Sequence, residues 1–406
     1  MTKLLQINIT ANWGSHGKIA EGIGKLAISQ GWESYIAYGR WYNPSSSTLF
    51  HIGSMLDEKI HGVFSRLFDV HGLLSRYATK RLTKYIDAIS PDIIHIHNVH
   101  GYYLNYPILF KFLAQRNIPI VWTLHDCWAY TGHCAHYMYI HCNKWQTHCK
   151  KCPQKETYPK SILLDNSYHN FELKKKYFLL PNNLTIVPVS KWLENDVKLS
   201  FLKDKSIKQI YNGIDISTFK PDQETNSVFK KYNIPIGQEI ILGVASNWFR
   251  KGLGDFIHLS EILDEKYTII LVGLNEHEIH SIPKNIIGIK RTQNIKELIK
   301  LYSVATVFFN PTWEDNFPTT NIEALACGTP VITYKTGGSP EVIDDQNGFV
   351  IEKGNVEQAK EKISLLSMRG KSFYSKHCRN TVVNKFNKED RFLEYFHLYC
   401  NLLKKK

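Results

Sequence analysis

Apolar and polar positions alternate in short runs from the first residues. KLLQINI reads as a strand, Ile19, Ile23, Leu26 and Ala27 recur at helical spacing after it, and SYIAY reads as a second strand. The succession returns in DIIHIHN, in a helical stretch around Leu109, Phe110 and Leu113, in IPIVWTLHD, and in LTIVPVS followed by a helix from Lys191. Strands separated by helices are βαβ units, which require a parallel sheet covered on its faces. IYNGIDISTFKPD breaks the period with Asn212-Gly213 and Pro221 and reads as a linker. A second series follows: EIILGVAS, a helix near 253–263, YTIILVG, IIGIKR, a helix near 294–302, ATVFFNP, a helix from about 319, and PVITY. The expected class is α/β, with two doubly wound domains at 1–212 and 213–384. Ligands of such sheets sit outside the carboxyl ends of the strands, so the two domains are expected to face each other across a cleft.

Composition supports two cores, since 406 residues with 43% hydrophobic content exceed what one core usually organises. No run approaches the roughly 18 apolar residues of a membrane span. MTKLLQINIT lacks the apolar stretch of a secretory signal, and the expected location is the cytoplasm. The net charge of +13 is uneven: residues 1–212 hold 25 Lys+Arg against 14 Asp+Glu, and 213–406 hold 25 against 23. The basic half implies either a solvated face or an acidic partner. Nucleic acid, a lipid phosphate surface and a pyrophosphate-linked acceptor all qualify by charge alone.

Candidate chemistry begins after the first strand, where Gly14, Ser15, His16 and Gly17 lead into a helix. Glycine lets a ligand approach the backbone there, and free helix amides face it. The turn lacks both G-x-G-x-x-G and a Walker A lysine, which counts against dinucleotide-dependent and ATP-hydrolysing readings. A second segment runs Trp313-Glu314-Asp315-Asn316-Phe317-Pro318-Thr319-Thr320-Asn321-Ile322-Glu323 and opens a helix. Carboxylates accept paired hydrogen bonds from sugar and ribose hydroxyls, and helix N-terminal amides receive phosphate oxygens.

This segment resembles the acidic signature of glycosyltransferase family 4, in which an acid stands eight positions before a Glu; Asp315 and Glu323 have that spacing. The family's first acid is usually Glu, so either Glu314 or Asp315 fills that place. Thr336-Gly337-Gly338-Ser339-Pro340-Glu341 resembles the family's Gly-Gly-x-x-Glu turn. Asn247-Trp248-Phe249-Arg250-Lys251-Gly252 resembles the segment whose Lys binds donor pyrophosphate. Lys251 is the match, and Arg250 stands in for the family's Arg, since position 245 is Ala245. His125 in WTLHD resembles the family's active-site His, with His16 and Asp126 as neighbours.

The resemblance covers nearly the whole chain and is nearest to bacterial capsule and exopolysaccharide transferases of the colanic-acid type. It implies a GT-B fold of two Rossmann-like domains, a UDP- or GDP-sugar donor, and transfer with retention. It also implies a glycan acceptor linked to polyprenyl pyrophosphate, met through peripheral contact with an anionic inner membrane, and neither a catalytic divalent metal nor nucleic acid. It further implies that residues 385–406, with Phe392, Phe396, Tyr399 and Leu402 at helical spacing, return to the first domain. Expected catalytic residues are His125, Lys251, Asp315 and Glu323. The expected donor site adds Gly14, Ser15, His16, Gly17, Arg250, Glu314, Asn316, Phe317, Pro318 and Thr319.

Five cysteines fall between 127 and 152. Cys149 and Cys152 have C-x-x-C spacing, and Cys134 and Cys142 would complete a four-thiolate structural zinc site. Free or redox-active thiols and disulfides are the competing explanations. Two other functions fit parts of the pattern. A nucleotide-sugar epimerase would share the donor acids without an acceptor surface, and a zinc-stapled nucleic-acid-binding protein would leave Asp315 and Glu323 without a task.

Overall fold

The apolar runs become strands buried at every position, as in Ile93–Ile96 and Ile120–Leu124, which is how strands behave when helices cover both faces of a sheet. The structure, a computed structural model, describes residues 1–235 and 237–405. Two units result, Met1–Tyr211 with Phe392–Lys406, and Asn212–Arg391.

The first unit contains β1 (Lys3–Asn8), α1 (Gly14–Ser29), β2 (Glu33–Tyr38), β3 (Thr48–His51), α2 (Met55–Phe68), α3 (Arg76–Ile89) and β4 (Ile93–Ile96). It continues with α4 (Tyr106–Ala114), β5 (Ile120–Leu124), α5 (Ser167–Phe178), β6 (Leu184–Pro188), α6 (Lys191–Leu199) and β7 (Ser206–Ile207). Its seven strands lie in the order β3-β2-β1-β4-β5-β6-β7, and each pairing is parallel. Strand order reverses between β1 and β4, and the crevice at such a reversal is where doubly wound sheets receive ligands.

The second unit contains α7 (Asn226–Lys231), β8 (Glu239–Val244), α8 (Leu253–Ile262), β9 (Tyr267–Val272), α9 (Glu276–Ser281), β10 (Ile286–Ile289) and α10 (Ile295–Val304). There follow β11 (Val307–Asn310), α11 (Thr319–Ala326), β12 (Val331–Tyr334), β13 (Gly348–Ile351), α12 (Val356–Arg369) and α13 (Lys371–Lys385), and then α14 (Lys388–Lys404), which runs on into the first unit. The order β10-β9-β8-β11-β12-β13 reverses between β8 and β11.

The unit boundaries fall at 211/212 and 391/392, the second of them later than the 384/385 expected from sequence. The first turn of α14 is tied to the start of the second unit, which explains the shift. Lys388 N–H donates to the Ile214 carbonyl at 2.9 Å, and Lys388 Nζ donates to Asp215 Oδ2 at 2.7 Å. From Phe392 onward the helix joins the other core: Phe392, Tyr395 and Tyr399 pack with Leu4, Ile23, Ala27, Ile93 and Val121. Gly22 on α1 admits this helix, because a Cβ there would lie 2.2 Å from the Phe392 ring. Gly22→Ala is therefore expected to lower stability by about 1–3 kcal/mol through overpacking, read as a reduced urea midpoint; an unchanged midpoint would contradict the contact.

Candidate functional site

In the second unit, the loops leaving β8 and β11 are neighbours because those strands pair at the reversal. Gly252 lets them meet: its φ is +81°, and a Cβ there would lie 2.4 Å from the Pro311 carbonyl oxygen. Trp313 N–H donates to the Arg250 carbonyl at 2.9 Å, which joins the loops by backbone. Lys251 Nζ then donates to Asp315 Oδ2 at 2.6 Å, the Glu314 carbonyl at 2.9 Å and Thr312 Oγ1 at 3.2 Å. This pair stays partly exposed, at 28% for Lys251 and 23% for Asp315. Glu314 points elsewhere. Both of its carboxylate oxygens accept from one Arg250 nitrogen, at 3.0 and 3.2 Å, and that ion pair is buried. The adjacent acids thus differ in environment: one braces the loop from inside, and the other faces solvent beside an ammonium.

Phe317 is buried against Phe386 and anchors the loop's end, while Gly338 N–H donates to the Asn316 carbonyl at 3.0 Å. After Pro318, α11 starts at Thr319 with no side-chain cap and no acid in its first turn. Its leading amides form the positive end of the helix dipole. Glu323 accepts from the Tyr302 hydroxyl at 3.0 Å. Burial raises the Tyr302 pKa well above its ordinary value and the Glu323 carboxylate adds to this, so the phenol stays protonated and donates.

Beneath these groups lies a polar network absent from the sequence reading. Asn310 Nδ2 donates to Asn321 Oδ1 at 2.7 Å, Asn321 Nδ2 donates to Ser339 Oγ at 3.0 Å, and the Ser339 and Thr333 hydroxyls lie 2.6 Å apart. It ties the ends of β11 and β12 to α11 and to the Gly337-Gly338 turn. The available signal was Asn310 closing the otherwise apolar ATVFFN. Tyr302 was also missed, as one aromatic residue in an amphipathic helix.

In the first unit, the turn after β1 places Gly14, Ser15, His16 and Gly17 at the start of α1, and a Cβ on Gly17 would lie 2.6 Å from Thr10 Oγ1. His16 Nδ1 is 3.1 Å from Asn8 Oδ1, and its ring centroid is 5.9 Å from that of His125. His125 Nε2 lies 3.3 Å from His97 Nδ1, and His97 Nε2 is 3.1 Å from Gln6 Oε1. Asp126 pairs with His100 at 2.7 Å. Burial works to raise the Asp126 pKa, but the His100 charge and hydrogen bond outweigh it and hold the carboxyl below its usual range. His97, His100, His125 and Asp126 line one small cavity. His97 and His100 went unnoticed in HIHNVH because alternation there reads as strand patterning.

The expected zinc staple is not met. Among the described residues, no group of three or more His, Cys, Asp or Glu is arranged to hold a metal ion, and no disulfide joins any of the eight cysteines. Cys134, Cys142, Cys149 and Cys152 line a common pocket, yet the loop is held by other means. Buried Lys174 donates to the carbonyls of Trp128 and Thr131 at 2.7 and 2.9 Å, and His133 pairs with Asp69 at 2.6 Å. Asp196 accepts from the hydroxyls of Tyr130, at 2.9 Å, and Tyr137.

Two family models match the chain: Glycosyltransferase Family 4 over residues 27–218 and Glycosyl transferases group 1 over residues 224–379. The chain is a glycosyltransferase that carries a domain of each kind. The transferase is 24% identical over 388 residues to the colanic acid biosynthesis glycosyl transferase WcaC of Escherichia coli, covering 87% of this chain and 88% of that one. A Campylobacter jejuni protein, N,N'-diacetylbacillosaminyl-diphospho-undecaprenol alpha-1,3-N-acetylgalactosaminyltransferase, is 26% identical over 41% of this chain and 46% of its own. Among solved structures, HepE of Anabaena in complex with UDP-glucose superposes with a TM-score of 0.65 at 12% identity, covering all of both chains. The transferase accordingly has the GT-B fold.

Burial holds the pKa of His16 down to about 4 and that of His61 down to about 3, and lowers those of His71, His95, His97 and His125 well below 6.5. These rings bind protons more readily in the unfolded chain, so stability is complete above pH 6.5 and falls as the pH drops toward 4. Each contributes a slope of up to about 1.4 kcal/mol per pH unit. Urea unfolding at pH 7.5 and 5.5 should differ by several such increments; equal stabilities would contradict the neutral cluster. In the loop, hydrogen bonding from Cys134 lowers the Cys152 pKa and raises that of Cys134. Mass mapping after brief alkylation at neutral pH should find Cys152 modified before Cys134. Protection of all four loop thiols until a chelator is added would contradict this arrangement.

Proposed function

We propose that the transferase moves a sugar from a UDP-sugar, with retention of anomeric configuration, onto a glycan acceptor carried on polyprenyl diphosphate. The observation that carries the donor reading is Lys251. It is a partly exposed ammonium at the strand-order reversal, held by three oxygens from the neighbouring loop. In this reading the donor diphosphate lies between Lys251 and the uncapped start of α11. As the bond from the sugar's anomeric carbon to phosphate breaks, negative charge grows on the leaving oxygen, and a fixed cation stabilises that state more than the ground state.

Asp315, rather than buried Glu314, contacts the transferred sugar, with Asn316, Phe317 and Thr319 framing it. Glu323, oriented by Tyr302, takes the ribose hydroxyls. His125 and the Gly14–Gly17 turn are the substrate-binding groups of the first domain. The acceptor hydroxyl attacks the face the phosphate leaves, and its proton passes to the departing phosphate oxygen, so no protein base is required. The UDP assignment is supported by the UDP-glucose bound to HepE, and the lipid-linked acceptor by the activity for which the Campylobacter relative is named. In this reading the reaction runs at the cytoplasmic face of a membrane, where a soluble donor meets a lipid-linked acceptor.

Lys251→Ala is expected to reduce kcat by about 100- to 1000-fold with little change in donor KM. NMR of the product should show the donor's anomeric configuration. An inverted product, or a Lys251→Ala variant with normal kcat, would refute the mechanism.

A further inference from the structure

The second helix of the first domain is turned inside out. Its inward row is polar or small: His61 meets the Ser75 hydroxyl at 2.8 Å and the Gly72 N–H at 3.2 Å, Glu58 pairs with Arg40 at 3.2 Å, and Gly62 and Ser65 are buried. Its outward row is apolar: Met55, Leu56, Ile60, Val63, Phe64 and Phe68 are all exposed, Leu56 at 66% and Val63 at 53%. A helix stable in water presents the opposite arrangement.

The apolar row does not end with the helix. Ile162 N–H donates to the Arg66 carbonyl at 2.6 Å and Leu164 N–H to the Leu67 carbonyl at 3.2 Å, which fixes the exposed stretch Ile162-Leu163-Leu164 beside its last turn. On the other flank, α3 packs close enough that a Cβ on Gly53 would lie 3.1 Å from Ala78. That helix exposes Arg76, Lys80, Arg81 and Lys84, and no acid occurs between Ser75 and Ile86. Lys59 and Lys160 add exposed cations at the apolar row and at the loop. The acids of α2 are engaged, Asp57 with the Ser54 cap and Glu58 with Arg40.

We infer that this α2–α3 face docks the enzyme on an anionic lipid bilayer, with the α2 ridge and Leu163 entering the acyl boundary and the α3 cations meeting lipid phosphates. An apolar ridge bordered by lysine and arginine fits that boundary chemically. A second copy fits less well, because two-fold pairing through the same face opposes one row of α3 cations to its equal. No helix of the described residues is long and apolar enough to cross a membrane, so the contact is peripheral. The inference deepens the lipid-linked-acceptor reading and rests on it for its purpose, though not for its geometry.

The test is co-sedimentation of the full chain with phosphatidylcholine vesicles with and without phosphatidylglycerol, alongside thermal shifts with UDP. The wild type should bind the phosphatidylglycerol vesicles and leave the neutral ones. Val63→Asp with Phe64→Asp should lower that binding by about tenfold or more, and Lys80→Glu with Lys84→Glu by several-fold, with the UDP shift unchanged. Vesicle binding equal in wild type and variants, or absent in the wild type, overturns the inference. In either case an intact UDP shift leaves the transferase reading standing. A wild-type dimer that Val63→Asp with Phe64→Asp dissolves, without vesicle binding, assigns the face to self-association instead. Vesicle binding without any UDP shift supports the docking face and removes the UDP-donor reading.

Discussion

The contact between Lys251 and the loop 312–315 is the constraint on which the proposed donor site depends. An ammonium this close to a carboxylate, a carbonyl and a hydroxyl has little freedom to swing, and backbone contacts between the two loops bring those oxygens to it. Gly252 brings the β8 loop against Pro311, the Arg250 carbonyl receives Trp313, and the Arg250–Glu314 pair fills the interior behind them. Removing either partner of that buried pair would strand a charge, which commonly costs about 3–5 kcal/mol. The cation is thus held in place by the protein alone, as the proposed stabilisation of a leaving group requires.

The first domain solves a different problem. Its strand ends carry histidines where parallel strands usually bury aliphatic residues, and burial keeps them neutral. Neutral imidazoles can pair with one another and with amides, as His97 does with His125 and Gln6. Helix α14 seals the same sheet: Tyr395 accepts from Thr123 at 2.9 Å, and the Tyr399 hydroxyl lies 2.6 Å from His95 Nδ1. The last residues of the chain therefore orient the histidine cluster near its middle, and the polar interior is satisfied only when that helix is in place.

Much of this was legible in the sequence. Strands such as PIVWTL and ATVFFN are continuous apolar runs, and the starts of α8, α10 and α11 follow Gly252, Asn294 and Pro318, residues that favour helix entry. Lys251, Asp315 and Glu323 were singled out by the resemblance to glycosyltransferase family 4, and the structure puts Lys251 beside Asp315. What was not legible depends on tertiary choice. The pattern of α2 is ordinarily amphipathic, and nothing local says which face turns inward. Glu314 and Asp315 are adjacent and chemically alike, and only the position of Arg250 separates them. The cysteine spacing suggested a metal, whereas distant Asp69, Lys174 and Asp196 hold that loop.

The second domain is proposed to bind a uridine nucleotide through α11 and its Glu323. Calorimetric titration of UDP and GDP into wild type and Glu323→Ala tests it most directly. UDP is expected to bind the wild type, GDP to bind more weakly, and Glu323→Ala to lose most of the UDP affinity while melting as a folded protein. UDP binding of equal strength in the variant, or no binding of either nucleotide to the wild type, would contradict it.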